Sequence, residues 1–354
     1  MKRWPIVAVA AAMVAVAGCG GGGGGSNASG GGGGGGGGHL HGTLNASGST
    51  FQATFQQTAI QHFRSVQSGM TVNYGGGGSG KGRTDLASRV VQFAGSDSPI
   101  PSADQSQFHG TVLYFPVVIG PITLSYNLSG VNSLKLDPKT VAEIFEAKIT
   151  TWNNAAIAAD NPGVHLPNTP IVVARRSDSS GTTQNFSQFL VSAAPGVWTL
   201  GTSSTINWPA STRGGSGNGG VSQIIHSTPG AIGYVDFADA KGAGLHYAEV
   251  KNQEGHYVLP TVQSATAAAD GATIAPNLTF SAIWAKGADS YPITYQSWVL
   301  VFEHQPNANT ANLLKAYIGY LVGDGQKLLP DLNYAPLPQS LDAKAKAQLD
   351  KITG

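Results

Sequence analysis

Three stretches of the 354-residue chain place small residues and hydroxyls immediately ahead of a predicted helix, where unpaired backbone donors accumulate. The first is Ala46-Ser47-Gly48-Ser49-Thr50-Phe51, opening a helix near Phe51. The second is Gly75-Gly76-Gly77-Gly78-Ser79-Gly80-Lys81-Gly82, after a strand and ahead of a helix near Arg83. The third is Arg176-Ser177-Asp178-Ser179-Ser180-Gly181-Thr182-Thr183, again between strand and helix. A helix start carries roughly half a unit of positive charge, and serine or glycine there lets an oxyanion come close. Three starts converging on one point would hold an anion, whereas each alone is equally an ordinary N-cap. The second stretch has Walker A spacing at Gly75 and Gly80-Lys81, but Gly82 stands where the magnesium-binding serine or threonine is required. Nucleotide hydrolysis is not expected.

The elements that must position these stretches alternate short apolar runs with helical periodicity, the pattern of an α/β protein. Phe51 to Val66 reads as an amphipathic helix with Phe51, Phe55, Thr58, Ala59, His62 and Phe63 on one side. Thr71 to Tyr74 reads as a strand, and Arg83 to Phe93 as a helix with Leu86, Val90 and Phe93 inward. Val112 to Tyr126 is apolar and β-branched, a buried strand. Ile171 to Arg175 and Gly230 to Val235 are further strands, and Lys139 to Phe145 and Thr183 to Ser192 are helices. A late strand from Tyr291 to Val301 and a helix from Thr310 to Val322 would return the chain to the first lobe. The expected architecture is two-lobed, with residues 43–126 and 293–354 in lobe one and 127–292 in lobe two.

Only 11% of residues are charged and the net charge is +1, so no basic field exists to hold nucleic acid. The first nineteen residues read as an address: Lys2 and Arg3, then the uncharged run Ile6 to Ala17, then Gly18-Cys19. That run is shorter than the ~20 residues a helical span needs, so cleavage is the reading. Val16-Ala17-Gly18-Cys19 resembles the bacterial lipobox, making Cys19 the lipidated mature N-terminus; the alternative is a plain secretory signal with an incidental cysteine. Cys19 is the only cysteine, which excludes internal disulfides and thiolate metal sites. The glycine-rich stretch 20–42 reads as a tether of roughly 25–30 Å, on which His39 and His41 are incidental.

From Thr43 to about Ser340 the chain resembles the PstS phosphate-binding proteins, receptors of the type II periplasmic-binding-protein (Venus-flytrap) fold that serve phosphate ABC importers. The resemblance is carried by Arg176 to Thr183, by Gly95-Ser96-Asp97-Ser98-Pro99-Ile100 and by Lys148-Ile149-Thr150-Thr151-Trp152-Asn153. Asn207-Trp208-Pro209, Gly214 to Gly220 and Thr228 to Tyr234 add to it. It implies a phosphate site of Thr50, Phe51, Ser79, Asp97, Arg176, Ser180, Gly181 and Thr182. The hydroxyls of Thr50, Ser79, Ser180 and Thr182 and the amides of Phe51, Gly181 and Thr182 would donate to phosphate oxygens. Arg176 would add a charged fork and help keep Asp97 ionised. Asp97 makes sense beside an anion only if the ligand brings a proton, as phosphate does near neutral pH and sulfate does not.

Two departures stand out. Gln92 replaces the acid common before the phenylalanine of the aspartate segment, and Lys81 replaces a glycine, bringing positive charge near the mouth. The resemblance implies inorganic phosphate as ligand, permease subunits and the membrane as partners, a monomer, no cofactor, no metal and no catalysis. Competing readings are another oxyanion such as sulfate or molybdate, a surface sensor or adhesin, and a phosphatase with Ser180 as nucleophile. The last lacks an HExxH pattern or an acid-histidine cluster.

Overall fold

The computed structural model describes residues 40–354. The leader, Cys19 and the tether up to His39 lie outside them; the expected tether ends slightly early, because Gly42 already opens a strand. The first strands are β1 (Gly42–Gly48), β2 (Met70–Gly77), β3 (Phe93–Ser96) and β4 (Val112–Tyr126). They are followed by β5 (Lys135–Leu136), β6 (Val172–Arg176), β7 (Arg213–Gly215) and β8 (Ala231–Asp236). The last are β9 (His246–Tyr247), β10 (Glu249–Lys251), β11 (Tyr257–Val258) and β12 (Thr294–Phe302). The first six helices are α1 (Ala53–Val66), α2 (Ser79–Ala87), α3 (Pro138–Phe145), α4 (Ala155–Asp160), α5 (Gly181–Ala193) and α6 (Gly217–Ser227).

The main sheet runs β2-β1-β3-β12-β4-β8-β6-β7. β1 is parallel to β2 and β3, and β6 is parallel to β7 and β8, so each end is a small α/β unit. β4 joins them. Its residues Val112 to Pro121 pair with β12, and Ile122 to Tyr126 pair with β8. Two prolines explain how a buried strand tolerates this: Pro121 lacks an N–H at the change of partner, and Pro116 sits at the bulge where Ser297 and Trp298 pair with Val118 and Pro116. Fourteen of the fifteen β4 residues are buried, as its continuous apolar run predicts.

Two expectations are corrected. The stretch Arg83 to Phe93 is not one helix: α2 begins at Ser79 and ends at Ala87, Arg89 takes the left-handed conformation, and Phe93 starts β3. Val90, expected inward, is 66% exposed, because pairing of Phe93 with Ala46 of β1 forces the chain out of the helix before it. On α1 the buried face is Phe55, Gln56, Ala59, Ile60 and Phe63, while His62 faces solvent. The glycine run is also less of a turn than its composition suggests. Gly75 and Gly77 still pair with Ser47 and Gly48 as the end of β2.

Gly82 owes its place to packing. A Cβ there would lie 2.7 Å from the Gly48 Cα and 3.0 Å from the Gly95 carbonyl oxygen, so α2 can rest directly on the ends of β1 and β3 only without a side chain. The residue that spoils a Walker A match is thus what brings Ser79 next to Asp97.

Candidate anion-binding site

Four helix starts meet where the two halves of the sheet join. The first precedes α1: Ser49 is buried, and its Oγ accepts the amides of Phe51 at 3.1 Å and Gln52 at 3.4 Å. Phe51 therefore spends its N–H within the chain, unlike the free donor expected of it. Its ring is buried and stacked on Tyr295, with centroids 4.0 Å apart. Thr50, half-buried beside it, accepts the Asn218 amide on Oγ1 at 3.3 Å.

The second start is α2. The Ser79 Oγ accepts the Asp97 amide at 3.1 Å and donates to Asp97 Oδ2 at 3.2 Å, which places the carboxylate against the first turn. The third is α5, capped by Ser180, whose Oγ accepts the Thr183 amide at 3.1 Å. Gly181 and Thr182 follow as its first residues, whose amides have no carbonyl four residues back within the helix. Gly181 lies so close to the other half that a Cβ on it would meet Ser79 Oγ at 2.4 Å and Asp97 Oδ2 at 2.6 Å. Two further contacts join the halves: Gly80 N–H donates to the Ser179 carbonyl at 3.0 Å, and the Asn185 side chain donates to the Asp97 carbonyl at 2.7 Å.

Arg176, at the end of β6, is 3% exposed. Its Nε and Nη2 form a fork on the Asp178 carboxylate at 2.8 and 2.5 Å, and its Nη1 reaches Asn218 Oδ1 at 2.8 Å and Thr182 Oγ1 at 3.4 Å. Burial works against this charge, but Asp178 foremost, with Tyr234 and Asp97, holds the guanidinium pKa above its ordinary value. In turn burial pushes Asp178 up while Arg176 and the Gly217 amide pull it below the usual carboxylate range. All eight residues expected in a site are therefore gathered in one region, linked through Asn218 and Asp97.

Asp97 is 1% exposed. Arg176 does draw its pKa down, as expected, together with Ser297, Ser49 and Ser79, yet burial outweighs all of them and leaves it above the usual carboxylate range. Arg176 thus helps keep Asp97 ionised, against a larger effect of burial in the other direction. A run of buried hydrogen bonds fixes the carboxylate from behind. Tyr317 donates to Gln56 at 2.7 Å, Gln56 to Gln52 at 2.7 Å, Gln52 to Ser297 at 2.7 Å and Ser297 to Asp97 Oδ1 at 2.6 Å. A network satisfied at every link holds its terminal acceptor rigidly.

Three members were missed by sequence reasoning. Asn218, at the start of α6, touches Arg176, Thr182 and Thr50, and donates through Nδ2 to the buried Asp236 at 2.5 Å. The signal existed, because Gly214 to Gly220 lies between a strand and a helix as the other stretches do. Asp178 stood in the third stretch without a role. Ser297 had no local signal. The two departures prove structural: Lys81 pairs with Asp85 one turn along α2 at 2.6 Å, and Gln92 Oε1 accepts the Asn45 amide of β1 at 2.8 Å.

Residues 34–325 match the profile of the PBP superfamily domain. The chain is 35% identical over 331 residues to phosphate-binding protein PstS 2 of Mycobacterium tuberculosis, covering 88% of this chain and 87% of the relative. Its fold is similar to that of the high affinity periplasmic phosphate-binding protein PfluDING bound with phosphate, with a TM-score of 0.72 and 20% identity over 86% of this chain and 93% of that one. It is also similar to a Clostridium perfringens protein with bound phosphate, assigned as a phosphate ABC transporter substrate-binding protein, with a TM-score of 0.64 and 16% identity over 84% of this chain and 100% of that one.

Proposed function

This chain belongs to the PstS family of phosphate-binding proteins, and we propose that Thr50, Phe51, Ser79, Asp97, Arg176, Ser180, Gly181 and Thr182 are where it takes up inorganic phosphate. It is a phosphate-binding receptor of a phosphate transporter. The observation that supports this site best is the buried Asp97 carboxylate facing the first turn of α5 across from Arg176. A general anion site would gain nothing from a carboxylate there; a site for a protonated oxyanion gains an acceptor for its O–H. Calorimetric titration should give strong binding of phosphate, similar binding of arsenate, which shares its proton and shape, and weak binding of sulfate. Equal affinity for phosphate and sulfate would overturn the reading.

The ligand would be enclosed by hinge bending, with lobe one of residues 43–126 and 293–354 and lobe two of 127–292. The change of partner along β4 and the return of the chain through β12 support two crossings between them. Gly181→Ala should then weaken phosphate binding by roughly 10- to 100-fold, the equivalent of about 1–3 kcal/mol of overpacking, because its methyl group would push Ser79 and Asp97 away. Wild-type affinity in calorimetry would rule out the close approach of the two halves in the bound state.

The receptor would work outside the cytoplasm as a monomer, hand phosphate to permease subunits and catalyse nothing itself. Among the described residues no helix is long and apolar enough to cross a membrane. Attachment would come from a lipid on Cys19, and recovery of the full protein in the aqueous phase of a detergent partition would count against that anchor.

A further inference from the structure

Tyr295 stands on β12 two residues before Ser297, in regular register opposite Gly120 while Ser297 lies opposite Val118. Residues two apart on a strand share a face at a spacing of roughly 6.5–7 Å, so Tyr295 projects to the side on which Ser297 meets Asp97. Its ring is held there by Phe51, stacked at 4.0 Å, and Gly120 leaves room, since a Cβ at that glycine would come within 3.1 Å of the Phe51 ring. The side chain is 0% exposed, yet its Oη has no hydrogen-bond partner among the described residues. A buried phenol normally has one. Burial, then Asp236 and Asp97, push its pKa well above the ordinary value, while a contact with the Thr182 hydroxyl that falls short of hydrogen-bond geometry opposes the rise, so the group stays protonated.

We infer that the Tyr295 hydroxyl is a further donor to the bound oxyanion, on the face of β12 where Ser297 meets Asp97, using in the complex the hydrogen bond it lacks here. The inference rests on the phosphate reading above. A neutral donor does not ask whether the ligand carries a proton. It therefore adds affinity for every tetrahedral oxyanion alike, whereas Asp97 selects among them.

Tyr295→Phe keeps the ring, the stack on Phe51 and the volume, and removes one oxygen. Calorimetry with phosphate, arsenate and sulfate should show each affinity falling by about tenfold with the ratios between them unchanged, the loss expected of one donor to a charged acceptor. In wild-type protein carrying tyrosine labelled with carbon-13 at Cζ, phosphate should move one resonance that is missing from the spectrum of Y295F. Phosphate affinity in Y295F within about twofold of wild type, with matching thermal unfolding, would overturn the inference, as would the absence of any tyrosine Cζ shift on saturation. If wild type itself bound no phosphate, the functional reading would fall first; if wild type binds and Y295F matches it, only the role of Tyr295 falls.

Discussion

Replacing Asp97 by asparagine is expected to erase most of the preference for phosphate over sulfate, a loss on the order of 10⁴, while reducing phosphate affinity far less. An asparagine amide can donate to an unprotonated sulfate oxygen, where the carboxylate presents only lone pairs. The substitution should be well tolerated locally. The Ser297 and Ser79 hydroxyls that now donate to the carboxylate at 2.6 and 3.2 Å can turn to accept from an amide instead. Acidification supplies the same change without mutation. Burial raises the Asp97 pKa, so its protonation on lowering pH begins above the usual carboxylate range, and the acid form can donate to sulfate. Selectivity in the wild type should fall as pH drops, and the D97N profile should be flat with respect to this group. Calorimetry with both anions across a pH series measures both effects; equal losses for phosphate and sulfate in D97N would remove the proton-acceptor role from Asp97.

The parts of this site legible in the sequence are those whose signal is local. A strand, a run of glycine and serine, and the opening of a helix lie within a few residues of one another, and Ser79, Ser180 and Gly181 stand at the helix starts that this pattern predicts. The resemblance to a family then gave Asp97 and Arg176 a meaning that an isolated acid and an isolated arginine lack. What stayed hidden depends on chain returns. Ser297 meets Asp97 across 200 residues of sequence and Gln52 across 245, and no spacing rule reaches so far. Phe93 misled for a related reason: its helical spacing from Leu86 and Val90 is real, but pairing with Ala46 of β1 offers it a buried place that a longer helix cannot. Tertiary pairing decided between two locally acceptable conformations.

Arg176→Ala is expected to reduce phosphate affinity by roughly 30- to 4,000-fold, since truncating one partner of a buried hydrogen-bonded charge pair costs roughly 2–5 kcal/mol and each 1.4 kcal/mol is tenfold. The loss should exceed that of the ligand contact alone. Arg176 is clamped by Asp178 on one side and by Asn218, itself backed by Asp236, on the other; without it an approaching anion meets Asp178 without its charge partner. Lysine should rescue little, because a point charge cannot make the fork to Asp178 and also reach Asn218. The orphaned carboxylate provides an internal check. Arg176→Ala combined with Asp178→Asn should bind phosphate better than Arg176→Ala alone, since the second change removes the repulsion that the first exposes, while Asp178→Asn by itself should weaken binding by loosening the fork. Calorimetry on the four proteins closes this cycle, with circular dichroism confirming that each is folded. Strict additivity of the two single losses would mean that Asp178 acts independently of the arginine, and the clamp would then have no part in holding the anion.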